Sequence, residues 1–479
     1  MKARQIAYII WTVIALLGAF CLVVPDGGWH IGTWHLRFPT LAQALDMDTK
    51  DDELSMMNDS LLAELETQSV LPSDSVVAED SLAVQDSIPP KAQPVIPEVN
   101  VSNTDSRAYL AAFYAALDSV RTMPVRVVHY GDSQIEEDRI TNVLRERWQK
   151  AYGGGGVGLL PLHQTIPTRS IRQWLSMNGV VQSIQGGPKR YLVYGPRSMR
   201  MENGDYGVMG QVAVMDSTLV AGSEDVVMCI EPIDKKRQGH NYFNRVRVFT
   251  DSVDGYILAQ DTMLSPTPDT RHPLLYTLPD STTKCEIHLQ GKGKVYGVSL
   301  ETPTGVIVDN IPMRGCSGNI FTKIDSTQLS DFYRETNTRL IILQFGGNMI
   351  PQTENASTIS GYVRSTLRQQ VRYLRACAPD AAILFIGPSD MSTNIDGQMS
   401  TYPLVPYMDK LLKKMAAEEQ IAYWSMYDAM GGKDSMVRWV ENGLAGSDYV
   451  HFTRAGANKM GRMLYEWLMT YPDLLNSKQ

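Results

Sequence analysis

Cysteine is scarce, with five residues in a chain of 479. So few thiols exclude a small fold that depends on disulfides, and no Cys or His cluster has the spacing of a metal site. Cys229 and Cys285 lie in strand-like runs of one region, and whether they pair stays open. We expect no cofactor.

Basic residues are not in excess, and the net charge is −8. The segment Asp46–Asn100 carries thirteen acids and two bases, so the rest of the chain is near neutral at +3. No basic stripe of the kind that binds nucleic acid is present. The acidic segment lacks aromatic residues, which predicts a disordered tether over 25–102. Within that range, Trp29–Phe38 alternates aromatic and other residues, which favours a short strand or a segment at a membrane interface.

Charge is absent from Ile6 to Val24, a run of nineteen residues. As a helix this run spans about 28 Å, close to the thickness of a bilayer core. Lys2 and Arg4 before it favour a cytoplasmic N-terminus, and the bulky Phe20 disfavours a lipoprotein cleavage site. We predict an uncleaved anchor over 1–24 in a bacterial inner membrane, with the rest of the chain in the periplasm. A cleaved signal peptide is the alternative.

Apolar strands alternate with amphipathic helices over 103–165 and 303–479. This pattern predicts an α/β fold with a parallel sheet covered on both faces. The predicted helices are Asp105–Val120, Gln134–Lys150, Ser365–Ala378, Tyr407–Gln420 and Arg454–Met469.

Residues 166–302 have a different texture, in which short strand-like runs are separated by turn signals. Such spacing predicts an inserted β-sandwich. The runs are Arg190–Tyr194, Asp225–Ile230, Asn244–Phe249, Gly255–Ala259, Leu274–Leu278, Lys284–Leu289 and Lys294–Leu300.

A Gly131-Asp132-Ser133 turn directly follows the strand-like run Val125–Tyr130. It places a serine hydroxyl at a strand end and a predicted helix start, where backbone N–H groups can meet an oxyanion. Near the far end of the chain, Asp448 and His451 lie three residues apart. Acyl transfer needs these three residue types as nucleophile, base and orienting carboxylate.

The chain resembles the SGNH (GDSL-type) hydrolase family in four motif blocks that stand in the family's order. The blocks are Gly131–Gln134, Arg314–Asn319, Gln344–Met349 and Asp448–Gly456. The resemblance covers 106–165 and 303–475 and implies a three-layer α/β sandwich with esterase activity. It implies that Ser133 is the nucleophile, His451 the base and Asp448 the partner of the base.

The resemblance also implies an oxyanion hole made by the Ser133 N–H, the Gly318 N–H and the Asn348 side chain. Gly315 competes with Gly318 for this role. Two positions depart from the family pattern: Gln134 stands where Leu or His is common, and Met349 replaces the acid of the third block. The oxyanion donor is the Asn, so this chemistry is retained.

The glycine-rich run Gly153–Gly158 lacks the Lys-Ser/Thr ending of a phosphate-binding loop. It predicts a mobile loop beside the active site in preference to a phosphate cradle.

The insert between the first two blocks resembles that of the peptidoglycan O-acetylesterase branch of the family. This favours an esterase that removes O-acetyl groups from a cell-envelope glycan. One alternative is a glycan O-acetyltransferase that uses the same acyl-serine and receives acyl groups from a membrane partner. Another is a non-catalytic envelope protein that binds glycan through the insert.

Overall fold

The structure is a computed structural model that describes residues 29–31, 34–36, 96–100, 105–177, 179–182, 187–195, 198–216, 225–233, 242–268 and 273–476. The chain divides into two compact units, Met1–Pro89 and Pro90–Gln479. In the first unit, Trp29–Ile31 pairs antiparallel with Trp34–Leu36, so the aromatic stretch forms short strands. The predicted anchor Ile6–Val24 and nearly all of the acidic segment lie outside the described residues. Within the described ranges, no helix is both long and apolar enough to cross a bilayer.

The second unit contains a parallel sheet, as the alternating pattern predicts. Pro124–Gly131 lies inside the sheet, paired on one side with Gly305–Pro312 and on the other with Thr338–Gln344. The sheet continues through Ala382–Ile386 to Ala422–Trp424. The strands are rich in Val, Ile and Leu and are almost wholly buried, which is typical of a sheet with both faces covered.

Helices cover both faces of this sheet, which confirms the α/β architecture. The two cores take alternate strand residues: Val125 and Val127 face one core, while Val128 and Tyr130 face the other. On the first face pack Ala111–Leu117, Thr141–Tyr152, Met426–Met430, Ser435–Glu441 and Arg454–Asn476. On the second face pack Ser326–Glu335, Ala356–Gly361, the π-helical Tyr362–Leu367, Arg368–Cys377 and Val405–Glu418.

Two antiparallel sheets that share one apolar core lie between the first and second parallel strands of the chain. All seven strand-like runs found in the sequence are strands here. One sheet contains Gly158–Leu160, Lys189–Leu192, Gln211–Met215, Phe243–Thr250, Leu274–Thr282 and Gly293–Glu301. The other contains Ile171–Met177, Val180–Val181, Val226–Pro232, Asp254–Ala259, Thr262–Leu264 and Cys285–Gln290. Because Gly158–Leu160 pairs with Gly293–Glu301, the antiparallel region begins before residue 166. Cys229 and Cys285 are buried free thiols on neighbouring strands.

The glycine-rich run is not a mobile loop beside the active site, and this prediction is wrong. Gly155 and Gly156 are buried, and a Cβ on Gly156 would lie 2.2 Å from the Leu300 carbonyl oxygen. Gly153 accepts a hydrogen bond from the Val306 N–H at 2.9 Å, at the start of its strand and so at the sheet edge opposite Ser133. The glycines serve close backbone packing, which composition alone does not distinguish from flexibility.

A buried ionic cluster joins the parallel sheet to the antiparallel region. Arg126, on the strand that leads to Ser133, contacts both Asp309 carboxylate oxygens at 2.6 and 2.8 Å. The same guanidinium pairs with Glu301, at the end of the last antiparallel strand. These side chains are at most 1% exposed, and Arg247 adds a second guanidinium to Glu301 at 2.6 Å.

We expect Arg126→Met to lower the free energy of unfolding by about 3–5 kcal/mol, because two buried carboxylates would lose a shared counter-charge. Urea denaturation measures the loss. The control is Arg172→Ala, which breaks an exposed pair with Glu231 and should cost under about 1 kcal/mol. Equal losses in the two variants would contradict the structural role of the cluster.

Candidate active site

Ser133 lies just past the end of its strand, in a tight turn that we call the serine turn (Ser133–Asp138). Asp132 caps the turn, since its carboxylate accepts the Gln134 N–H at 3.0 Å. The predicted helix Gln134–Lys150 begins only at Thr141, so its predicted start is wrong. Glu137 and Asp138 have φ of 56° and 65°, a left-handed conformation that interrupts a helix.

Two arginines outside the serine turn hold it in this conformation. Arg145 binds Asp138 at 2.5 and 3.1 Å, and Arg169 binds one Glu137 carboxylate oxygen at 2.9 and 3.0 Å. Arg169 lies 32 residues away from Glu137, so a local propensity argument does not find this contact.

The three residues predicted as a triad form one hydrogen-bonded chain. Ser133 Oγ lies 2.8 Å from His451 Nε2, and His451 Nδ1 lies 2.7 Å from Asp448 Oδ2. The other Asp448 oxygen accepts the N–H groups of Val450 and His451 at 2.9 and 3.0 Å. Burial opposes ionisation of Asp448, but its hydrogen bonds with His451 and the two backbone N–H groups hold its pKa below the ordinary value. The arrangement suits proton transfer from Ser133 to His451.

Gln134 connects the serine turn to the turn that carries His451. Its Nε2 donates to the Val450 carbonyl at 2.6 Å and lies 3.3 Å from Ser389 Oγ. The sequence marks Gln134 only as a departure from the family pattern. The signal for a positioning role is its place directly after Ser133.

The second and third motif blocks meet at Cys316. Asn348 Nδ2 donates to the Cys316 carbonyl at 3.1 Å and lies 3.4 Å from Asp132 Oδ2. The Gly318 N–H points to Cys316 Sγ at 3.3 Å, so two of the three predicted oxyanion donors lie against one residue beside the Asp132-Ser133 turn. Burial raises the pKa of the Cys316 thiol to about 11, which keeps it protonated.

The structure separates the two glycines that compete for the oxyanion position. Gly318 is buried with φ of 90°, and a Cβ there would lie 2.9 Å from the Phe345 side chain. Gly315 is exposed, and a Cβ there would meet nothing within 4 Å. The local packing therefore favours Gly318, while its role as a donor stays a prediction.

Glu136 contacts Arg314 of the second block at 2.7 Å, through Arg314 Nε. Burial raises the pKa of Glu136, and the guanidinium opposes that rise. The motif comparison assigns no role to Glu136 or to Arg314, although Arg314 begins the second block. Together they tie the serine turn to the loop that carries Gly318.

Comparison with known proteins agrees with this geometry. Residues 280–459 match the GDSL-like Lipase/Acylhydrolase family, a span that holds Gly318, Asn348, Asp448 and His451. The matched span is under half of the chain, and it is similar to this family of lipases and acylhydrolases. A search of curated proteins finds no match.

The fold is similar to that of a solved peptidoglycan O-acetylesterase. The two sequences are 21% identical over 78% of this chain and 99% of that chain, with a TM-score of 0.59. Two further solved structures overlap less. An acetyl xylan esterase is 12% identical over 34% of this chain and 80% of that chain, with a TM-score of 0.24. A family 3 carbohydrate esterase from Clostridium thermocellum is 12% identical over 35% of this chain and 71% of that chain, with a TM-score of 0.24.

We expect the free energy of unfolding of Asp132→Asn to rise relative to that of the wild type as the pH rises. Burial raises the pKa of Asp132 from 3.8 to about 6. The unfolded chain therefore releases this proton first, and the wild-type protein loses stability between about pH 4 and pH 6. An amide keeps the acceptor for the Gln134 N–H, so above pH 6 the variant should gain up to about 3 kcal/mol.

Urea denaturation from pH 4 to pH 7 measures this difference. The control is Asp325→Asn, at the exposed cap of another helix. If the gain in the free energy of unfolding of Asp132→Asn does not change with pH, the raised pKa of Asp132 is contradicted.

Proposed function

We propose that the protein is a serine esterase that removes O-acetyl groups from a cell-envelope glycan such as peptidoglycan. The observation that carries the proposal is the hydrogen-bonded chain Ser133–His451–Asp448, which stands at the carboxyl edge of the parallel sheet beside Asn348 and Gly318. Ligands of parallel α/β sheets bind at this edge.

In the first half of the reaction, His451 Nε2 accepts the Ser133 proton while Ser133 Oγ bonds to the acetyl carbonyl carbon. The negative charge that develops on the carbonyl oxygen takes hydrogen bonds from the Ser133 N–H, the Gly318 N–H and Asn348 Nδ2. This oxygen replaces Cys316 as the acceptor of Gly318 and Asn348. The bond to the sugar oxygen then breaks, and the sugar hydroxyl leaves with the proton from His451.

In the second half, His451 takes a proton from water, and the resulting hydroxide attacks the acetyl-serine. Acetate leaves, and Ser133 recovers its proton from His451. Asp448 stays ionised throughout and stabilises the imidazolium, in accord with its lowered pKa.

The fold shared with a peptidoglycan O-acetylesterase supports a glycan ester as substrate, and that likeness extends to nearly all of that chain. We further propose that Ile6–Val24 anchors the enzyme in a bacterial inner membrane. The acidic tether would then hold the catalytic domain in the periplasm, where an envelope glycan is accessible.

Ser133→Ala should lower acetate release from O-acetylated peptidoglycan by at least about 1000-fold, because the acyl-enzyme no longer forms. The exposed Ser357→Ala is the matched control and should release acetate as the wild type does. Acetate is measured after incubation with the full-length protein.

Labelling with a fluorophosphonate probe separates the alternatives. A Ser133 that labels but releases no acetate, and that transfers acetyl groups to an added glycan, would establish a transferase in place of an esterase. An unlabelled Ser133 with undiminished glycan binding would establish a non-catalytic binding protein.

Asn348→Ala should lower kcat by about 100–1000-fold and change KM little, because its hydrogen bond strengthens as charge develops on the oxyanion. The control is Asn442→Ala, an exposed asparagine on another helix end. Steady-state kinetics with 4-nitrophenyl acetate measure both constants. A raised KM with unchanged kcat would assign Asn348 to substrate binding alone.

A further inference from the structure

A polar groove of about 240 Å³ lies between the helices Thr141–Tyr152 and Arg454–Asn476, next to the serine turn. The described residues that line it include five arginines and one acid, Glu146. The lining residues are Arg139, Asn142, Val143, Glu146, Arg147, Arg169, Arg454, Asn458 and Arg462. We call it the arginine groove.

Helical spacing builds the walls of the arginine groove. Arg454, Asn458 and Arg462 stand four residues apart, so they share one face of their helix. The facing helix contributes Asn142 and Arg147. The helices pack closely at Gly461, where a Cβ would lie 2.8 Å from Val143, so the polar side chains above this contact line a narrow cleft.

The floor of the groove is formed by the buried Arg139 and the partly buried Arg169, which both contact the serine turn. Arg139 is 2% exposed. It donates to the Glu136 carbonyl at 3.0 Å in the serine turn and to the Phe452 carbonyl at 3.3 Å, one residue after His451. The groove therefore lies directly against the two turns that hold Ser133 and His451.

Arg169 has an uncommitted donor in this floor. Its Nε and Nη2 bind Glu137, but its buried Nη1 has no hydrogen-bond partner among the described residues. Burial lowers the pKa of Arg169, Glu137 raises it, and the neighbouring Arg139 and Arg454 lower it further. A buried donor without a partner is costly, and an incoming anion would satisfy it.

Among the described residues, the acids near the groove are too few to neutralise its arginines. Glu137 serves both Arg139 and Arg169, and Glu146 lines the wall. Arg147 reaches Glu466 only at 4.0 Å. Guanidinium groups bind carboxylate and phosphate oxygens well, so the excess of arginines suits an anionic ligand.

We propose that the arginine groove binds the carboxylate or phosphate groups of an anionic glycan beside its acetyl ester, so that the enzyme selects acidic over neutral O-acetylated glycans. This inference rests on the proposed function, since it deepens the substrate class of the same site.

The test uses the full-length protein with Ser133→Ala, which binds glycan without turning it over. Arg454→Gln/Arg462→Gln removes two exposed charges from the groove. The matched control is Lys410→Gln/Lys414→Gln, which removes two exposed charges from one face of the helix Val405–Glu418. We call the two double variants the arginine pair and the lysine pair. Binding to O-acetylated peptidoglycan should weaken about tenfold in the arginine pair and less than about twofold in the lysine pair. Equal binding by the two pairs would overturn the proposal.

Amidation of the glycan carboxyl groups identifies the source of the anion. If carboxylates are the ligand, amidation removes the advantage of the intact groove over the arginine pair. If phosphates are the ligand, amidation has no effect, and inorganic tripolyphosphate competes with glycan for the intact groove but not for the arginine pair.

Activity separates this inference from the proposed function. With Ser133 intact, the arginine pair should hydrolyse the neutral 4-nitrophenyl acetate as the wild type does and show about tenfold lower kcat/KM on anionic glycan. Charge-dependent glycan binding without acetate release would contradict the proposed esterase activity and would still support anion binding by the arginine groove. If the arginine pair releases acetate from anionic glycan as fast as the wild type does, the proposed role of the arginine groove is overturned and the esterase activity is not.

Discussion

The hydrogen bonds that fix Pro124–Gly131 between its two parallel neighbours determine where the candidate catalytic groups lie. Their register aligns Gly131 with Pro312 and with Gln344, and the bonds continue beyond the strand ends, from the Met313 N–H to Gly131 and from the Asp132 N–H to Gln344. The residues that follow these three ends include Ser133, the Gly318 loop and Asn348. A shift of one residue in the pairing register of a strand would exchange its two faces. Each apolar side chain would then point into the core on the opposite side of the sheet. The same burial that stabilises the sheet therefore sets the geometry of the site.

The antiparallel region is coupled to this register through charge. Glu301 ends its last strand, and Gly305 begins the adjacent parallel strand. Arg126 binds Glu301 and Asp309 from the strand that leads to Ser133, so it links three strands. Since an unpaired charge at this depth is costly, the cluster holds the inserted sheets against the catalytic sheet. The placement of the inserted sheets and of the strand that leads to Ser133 thus depends on one set of buried contacts.

The sequence was most informative where the determining contacts are local. Asp448 and His451 lie within one turn, and strands such as Leu340–Phe345 show as apolar runs, so both could be predicted. The start of the helix after Ser133 could not, because Glu137 and Asp138 are held in a left-handed conformation by Arg169 and Arg145. Strands with mixed polarity, such as Ile171–Met177, depend on pairing with Val226–Pro232 and lack a clear alternating pattern. The arginine groove combines residues from segments over 280 positions apart, which spacing along the chain does not reveal.

The position of His451 depends on the serine turn as well as on Asp448. Gln134 donates to the Val450 carbonyl and Arg139 to the Phe452 carbonyl, so two side chains from near Ser133 hold the backbone on both sides of His451. A leucine at position 134 has no donor for this contact, which gives a physical reason for the departure from the family pattern. Arg139 also forms part of the floor of the arginine groove. An anion bound there would act on the same guanidinium that contacts the backbone beside His451, so the groove and the candidate triad are physically connected through one side chain.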